Sequence, residues 1–391
     1  MTRGGIYLHI PFCEAKCIYC DFCSYAGLEA LHGAYVDALL VQIRQSGSSR
    51  HGLTFDTLFV GGGTPTVLTS EQLAAIVAAC RTWLGLPEDA EATVEANPGT
   101  ITQASLAALL QAGYNRLSIG VQSLHDQELA LLGRIHDVRG ALEAITAARA
   151  VGFSNLSLDL MYGLPHQPLA RWQATLERAL ALAPEHLSLY ALTIEERTPL
   201  ARSIALGALP APDDDLAADM YELAQEMLSA CGYAQYEISN WARRSPGDQP
   251  GQPPARACQH NLHYWRNEPY LGLGVGAHGY DGQRRYAHIV DPEEYVRRVA
   301  AGESTLASSE AISRDQAMDE TMIMGLRLAN GVTRDRFRRR FGVELDAVYA
   351  EALAALANTG LLEVDATGIR LAPRGYLLGN RVFAEFMRAG S

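Results

Sequence analysis

Over the first half of this chain, short β-rich runs alternate with Ala/Leu-rich helical stretches, and no other feature limits the possible folds so strongly. The candidate strands are Ile6–Ile10, Thr57–Val60, Ala92–Glu95, Arg116–Gly120, Asn155–Leu160 and His186–Leu192. Between them the pattern predicts helices over Glu71–Cys80, Gln103–Gln111, Val138–Ala150 and Ala170–Ala183. Each is long enough for a crossover, and crossovers are what parallel strands require. Six such units predict an α/β fold, a partial (β/α)6 barrel rather than a closed eight-stranded one.

The unusual residues fall where such a fold keeps its chemistry. Cys13, Cys17, Cys20 and Cys23 follow the first strand, Gly61-Gly62-Gly63-Thr64-Pro65 the second, and Glu95 ends the third. Gln122 follows the fourth strand and Asp159 lies in the fifth. In parallel α/β folds the C-terminal strand ends carry the site, so one face gathers all of these groups. Four of the seven cysteines crowd into eleven positions, and polarizable thiolates packed so closely suit iron–sulfur, zinc or cuprous centres. The spacing Cys13-x3-Cys17-x2-Cys20 lets one loop supply three sulfurs to a four-iron cluster and leaves the fourth iron open. Zinc or a Cys-x-x-Cys redox pair are the plainer readings, but Cys80, Cys231 and Cys258 offer no second cysteine pair.

Composition narrows the function classes. Lys and Arg total 32 against 44 Asp and Glu, a net charge of −12, which argues against nucleic acid as a partner. No apolar run is of membrane-spanning length, and Met1-Thr-Arg-Gly-Gly5 leads straight into the first strand without a signal-peptide pattern, so a cytoplasmic location is expected. A basic stretch, Arg334–Arg340, reads as a solvated face or docking surface, and Met318, Met322 and Met324 read as core fillers.

Past Trp241 the alternation stops. Arg244–Ala257, rich in Pro and Gly, predicts a mobile loop. Tyr270–Gly279 carries alternating glycines that imply closely packed backbone. The tail predicts a helix over Asp315–Leu328, two more helices, a hairpin over Gly360–Leu371 and a final helix, an order resembling a winged helix. The expected division is a barrel over 1–240, an extension over 241–310 and a small α+β winged-helix-like domain over 311–391.

Cys13-x3-Cys17-x2-Cys20, with Tyr19 before the third cysteine, resembles the signature of radical S-adenosylmethionine (SAM) proteins. Further motifs narrow this: Tyr7-Leu-His-Ile-Pro-Phe-Cys, Phe59-Val-Gly-Gly-Gly-Thr-Pro-Thr, Glu95-Ala-Asn-Pro-Gly, Ser118-Ile-Gly-Val-Gln-Ser, Leu132-Gly-Arg-Ile-His, Asp159-Leu-Met-Tyr-Gly-Leu-Pro, Tyr236-Glu-Ile-Ser-Asn and His260-Asn-Leu-His-Tyr-Trp. Together they resemble the oxygen-independent coproporphyrinogen oxidase family, and within it the HemW-type haem chaperone branch. The resemblance implies a [4Fe-4S] cluster on Cys13, Cys17 and Cys20, with SAM chelating the open iron. It implies SAM contacts from Tyr7, Tyr19, Gly62, Gly63, Thr64, Glu95, Gln122, Arg134 and Asp159. Singly, each has a plain structural reading: a tight turn, a helix cap, a surface ion pair.

Decarboxylating members of the family resemble one another in a longer N-terminal segment and in a fourth cysteine two positions after the third. Here only twelve residues precede Cys13, Phe22 takes that position, and the extra cysteine is Cys23, read as a free thiol. These departures favour a chaperone that binds haem and hands it to an acceptor, such as a respiratory or other haem enzyme, with peripheral membrane association through that acceptor. His260, His263 and Tyr264 are the candidate haem ligands, with Cys258 nearby; shared packing residues are the plain alternative. The other functions implied are radical decarboxylation of porphyrinogen propionates, in which SAM yields a 5′-deoxyadenosyl radical, and a haem-degrading methyltransferase-like activity.

Overall fold

The computed structural model describes residues 2–49 and 52–388. The chain divides into two compact units: Met1–Met227 with Pro269–Glu310, and Leu228–Glu268 with Ala311–Ser391.

The first unit is built on β1 (Thr2–Ile10), β2 (Leu53–Gly62), β3 (Glu91–Ala96), β4 (Arg116–Gln122), β5 (Leu156–Tyr162) and β6 (His186–Ala191). These run parallel and lie side by side in chain order, as expected from the sequence. The connecting helices are α1 (His32–Ser46), α2 (Ser70–Ala79), α3 (Gln103–Ala112), α4 (Asp126–Leu131), α5 (Val138–Val151) and α6 (Leu169–Ala181). Their ends are chemically marked. Thr69 and Thr102 form capping boxes with Gln72 and Ser105, and Gly113 and Gly152 close α3 and α5 in the left-handed region, where glycine carries no Cβ penalty. Helix α6 buries Trp172, Thr175, Leu176 and Ala179, a spacing that lays one stripe against the sheet. With Ile6, Leu8, Ile10, Leu58, Val60, Val94, Leu117, Ile119, Leu158 and Leu160 at 0 % exposure, the strand faces turned to the helices form the core.

The sheet extends beyond the six strands read from the sequence. Tyr270–Leu273 pairs parallel with β1, followed outward by His278–Tyr280, Arg284–His288 and Leu306–Ala311. These strands escape a propensity reading because glycine weakens strand signals. The packing makes those glycines necessary: a Cβ on Gly272 would collide with the His278 carbonyl, and one on Gly279 with the Tyr286 ring.

In the second unit, helix Arg314–Gly325 and helix Arg334–Phe341 share a core with a three-stranded antiparallel sheet. The sheet order is Val332–Thr333, Gly368–Leu371, Leu362–Val364, so the winged-helix-like order is present. Met318 and Met322 are core residues. The basic helix is neutralised locally, with Arg334 on Asp346, Arg336 on Glu268, and Arg338 and Arg339 on Asp335. A hairpin over Tyr233–Glu237 and Asn240–Arg243, which the sequence reading missed, belongs to this unit. The Arg244–Ala257 segment is tied rather than loose: the Asp248 carboxylate accepts from Ser245 N at 2.7 Å and from Ala255 N at 3.0 Å.

Candidate functional site

The cysteine loop leaves β1 and is pinned against neighbouring strand ends. Cys13 N donates to Tyr25 O at 2.9 Å, Gly63 N to Ile10 O at 2.8 Å, Thr64 N to Phe12 O at 2.7 Å, and Ile18 N to Leu132 O at 3.3 Å. Gly63 permits this approach, since a Cβ there would lie 2.5 Å from Phe12 O and 3.0 Å from Cys13 Sγ.

Cys13, Cys17 and Cys20 are half-buried free thiols. Thr64 Oγ1 donates to Cys13 Sγ at 3.5 Å, and Arg134 Nη1 to Cys17 Sγ at 3.3 Å. Burial pushes the Cys13 thiol up; hydrogen bonds from Thr64 and Ser24 oppose this, and the nearby Cys20 and Cys17 sulfurs add to it. Among the described residues no three His, Cys, Asp or Glu side chains converge on a single-ion site. Three thiolates supplied by one loop are a donor set that fits a four-iron cluster. Hydrogen bonds onto two of the sulfurs are the support such a cluster uses.

Cys23 is oriented differently. Its sulfur approaches Val290 O at 3.8 Å and the Tyr25 hydroxyl at 3.9 Å, and its carbonyl accepts from His9 Nε2 at 2.7 Å. In a neutral ring with its proton on Nε2, His9 Nδ1 accepts from the Tyr7 hydroxyl at 2.9 Å. Burial lowers the His9 pKa, in accord with that form. Tyr7, one of the expected site residues, therefore reaches the cysteine loop through His9.

Two half-buried carboxyls stand on the strands that flank β4, Glu95 on β3 and Asp159 on β5. Glu95 accepts from Gly62 N at 3.1 Å, and burial, with Asp159 adding to it, pushes its pKa up to about 8. Asp159 accepts from Ser118 at 3.1 Å and Ser157 at 3.2 Å; burial raises its pKa, while Ser188, Arg116 and Ser118 oppose the shift. Two acids held this way suit a cationic, hydroxyl-bearing ligand, because a cation would return Glu95 to its ionised form. Gly61 and Gly62 line the approach: a Cβ on Gly61 would fall 2.8 Å from Glu95 Oε2, and one on Gly62 2.6 Å from His9.

At the end of β4, Gln122 has φ 65°, an uncommon conformation for a residue with a side chain and one that clusters at binding sites. Arg134 Nη2 donates to Gly120 O at 2.9 Å. Tyr19 is half-buried, and desolvation raises its pKa; the Arg134 charge opposes the shift and the Cys17 and Cys20 sulfurs add to it. Thus Tyr7 and Asp159 lie within β1 and β5, Gly62, Gly63, Thr64, Glu95 and Gln122 lie at or beside the ends of β2, β3 and β4, and Tyr19 and Arg134 lie in the loops after β1 and α4. The sequence reading missed His9, Ser118, Ser157 and Arg116, whose alternation with apolar residues along β1, β4 and β5 was the available signal.

The remaining candidates lie in the second unit. Helix Gln259–Trp265 places His260 Nε2 2.8 Å from the Tyr264 hydroxyl, and His263 Nδ1 2.7 Å from Glu268 Oε2. His260 and Cys258 are both fully buried.

The radical SAM superfamily profile matches residues 7–179 and the HemN C-terminal domain profile residues 312–378. "Heme chaperone HemW" of Bacillus subtilis is 36 % identical over 382 residues, covering 97 % of this chain and 98 % of its own. The chain belongs to the HemW family. The Escherichia coli HemW shares 43 % identity over 278 residues, 70 % of this chain and 69 % of that protein. Mouse "Radical S-adenosyl methionine domain-containing protein 1, mitochondrial" shares 36 % over 96 % of this chain and 85 % of its own. Among solved structures, coproporphyrinogen III oxidase (HemN) from Escherichia coli superposes with a TM-score of 0.83 at 26 % identity, covering 98 % of this chain and 90 % of that one. The Bacillus subtilis HemW thus matches nearly end to end. No helix among the described residues is long and apolar enough to cross a membrane.

Proposed function

We propose that this protein is a haem chaperone that carries a [4Fe-4S] cluster and SAM and passes haem to an acceptor protein. The observation that carries this reading is the end-to-end match to the Bacillus subtilis haem chaperone at 36 % identity. When bound, the cluster supplies an open iron and an electron to SAM.

The chain's own residues perform the holding. Cys13, Cys17 and Cys20 ligate the cluster, and Thr64 and Arg134 donate to two of their sulfurs. Glu95 and Asp159 take the charged and hydroxyl-bearing parts of SAM, with Gly62 and Gly63 admitting it against backbone and Tyr7, Tyr19 and Gln122 lining it. Arg134 retains further guanidinium N–H groups for a carboxylate. His260, His263 and Tyr264 are candidate haem contacts, each of which must first release a partner. The acceptor is a haem enzyme, and any membrane association comes through it.

The likeness to coproporphyrinogen III oxidase supports a second reading, radical decarboxylation of a porphyrinogen. Against it, Phe22 occupies the place where the family's enzymes carry a fourth cysteine, and the Cys23 sulfur is engaged with Val290 O and Tyr25. Anaerobically reconstituted protein, incubated with coproporphyrinogen III, SAM and a reductant, separates the two. The chaperone reading expects no protoporphyrinogen above the protein-free control; multiple turnovers would overturn it.

A further inference from the structure

The glycine-rich segment Tyr270–Gly279 is packed with unusual closeness, and none of its residues is among those proposed to hold the cluster or SAM. Its glycines hold a rigid ledge beside the cysteine loop. Gly276, at φ 66°, leaves room for the Cys23 sulfur, which would lie 2.7 Å from a Cβ there, and for Val290 Cγ1 at 3.8 Å. Gly274 lies under Tyr35 and the His9 carbonyl, and Gly276 N donates to Ile289 O at 2.8 Å. What the ledge presents is His278.

Three imidazoles belong to this ledge: His278 pairs with Ala287, the neighbour of His288, and the His9 carbonyl lies against Gly274. Two are committed. His9 bonds Tyr7 and Cys23 O, and His288 bonds Thr305 Oγ1 at 2.8 Å and Gly272 O at 3.2 Å. His278 is exposed, and its ring makes no hydrogen bond to the described residues. A fixed backbone, an accessible ring and two uncommitted nitrogens are what an axial metal ligand needs.

The surroundings specify the class of ligand. Phe22 is 70 % exposed and Val290 59 % exposed, one beside Cys23 in sequence and the other against Gly276. Exposed apolar residues on the segments packed around this ledge suit a flat apolar molecule better than a hydrated ion. Lys16, also exposed, spends two donors on Phe22 O at 3.1 Å and Ser24 O at 3.2 Å, leaving a third N–H for a carboxylate. By contrast, His260 is fully buried on Tyr264, and His263 is held by Glu268.

We infer that His278 is the axial ligand of the transported haem, with Phe22 and Val290 against the macrocycle and Lys16 on a propionate. This rests on the haem-chaperone reading and names the ligand within it.

The test is a ferric haem titration of the full, cluster-reconstituted chain and of His278→Ala, followed by Soret absorbance and EPR. His166→Ala removes another exposed imidazole as a control. The expected result is loss of the histidine-ligated spectrum and a dissociation constant raised at least about ten-fold in His278→Ala, a difference well above measurement scatter. Added imidazole restores the spectrum, and His166→Ala behaves as wild type. Haem binding by wild type with an unchanged spectrum and affinity in His278→Ala overturns the ligand assignment alone. Absence of haem binding by wild type overturns the chaperone reading and this inference together.

Discussion

Arg134 donates through Nη1 to the Cys17 sulfur at 3.3 Å while Nη2 is anchored on Gly120 O at 2.9 Å. A cationic donor on a cluster sulfur stabilises the more negative, reduced state. Arg134→Leu therefore lowers the cluster's midpoint potential, by an amount on the order of tens of mV given how strongly sulfur hydrogen bonds tune such centres. An EPR-monitored redox titration checks this, and an unchanged potential counts against the contact.

Glu95 sets a pH dependence with a definite sign. Its folded pKa is pushed up to about 8 from the usual 4.5, so between those values the folded chain binds the proton that the unfolded chain has lost. Its contribution to stability is full below about pH 4.5 and is lost as pH rises towards 8, falling by about 1.4 kcal/mol for each pH unit within that window. Ligand-free Glu95→Gln should show a flatter fall in melting temperature across the same range, along with weaker SAM binding. A profile as steep as wild type would show that the carboxyl is already ionised.

The Cys23 sulfur is directed to Val290 O and Tyr25, and the proposed three-thiolate cluster leaves it as a spare thiol. Cys23→Ser keeps about four irons per reconstituted chain, as a three-thiolate cluster should, whereas Cys17→Ser does not. Iron and sulfide analysis decides, and loss of the cluster in Cys23→Ser would make it a fourth ligand.

Gly63→Ala tests the loop's approach to β2. Its Cβ would stand 2.5 Å from the Phe12 carbonyl oxygen, a contact that only backbone movement relieves. The variant is expected to fold with an unchanged far-ultraviolet circular dichroism spectrum but to reconstitute little iron. Full iron loading would show that the loop is free to retreat.

In the second unit, Asp319 is buried and accepts from Tyr349 Oη at 2.7 Å and Arg388 Nε at 2.7 Å. Asp319→Ala leaves both donors without their acceptor and should cost about 3 kcal/mol, the usual range for breaking a buried pair. Urea unfolding measures it, and a loss under about 0.5 kcal/mol, the scale of a surface change, would show that the pair contributes little.

The six parallel strands were legible because β1 to β6 are short apolar runs separated by helical stretches, and five of the expected site residues, Gly62, Gly63, Thr64, Glu95 and Gln122, lie at or beside strand ends. What escaped depends on register and distance. Nothing in Tyr7-Leu-His9 says that the histidine links a phenol to Cys23 O, and nothing near Arg116 says that its charge reaches Glu95 and Asp159 on the two flanking strands. The glycines of Tyr270–Gly279 announced close packing, but only the fold shows that the neighbours are Cys23, His9 and Tyr286. Asp248 likewise ties a Pro/Gly-rich segment through two backbone amides that composition cannot reveal.

A chain that carries haem as cargo must bind it stoichiometrically, and an absorbance-monitored titration of the cluster-loaded full chain with ferric haem measures this. Saturation at one haem per chain with a histidine-type Soret spectrum is expected; a linear, unsaturable rise like that of free haem would show that haem is not its cargo.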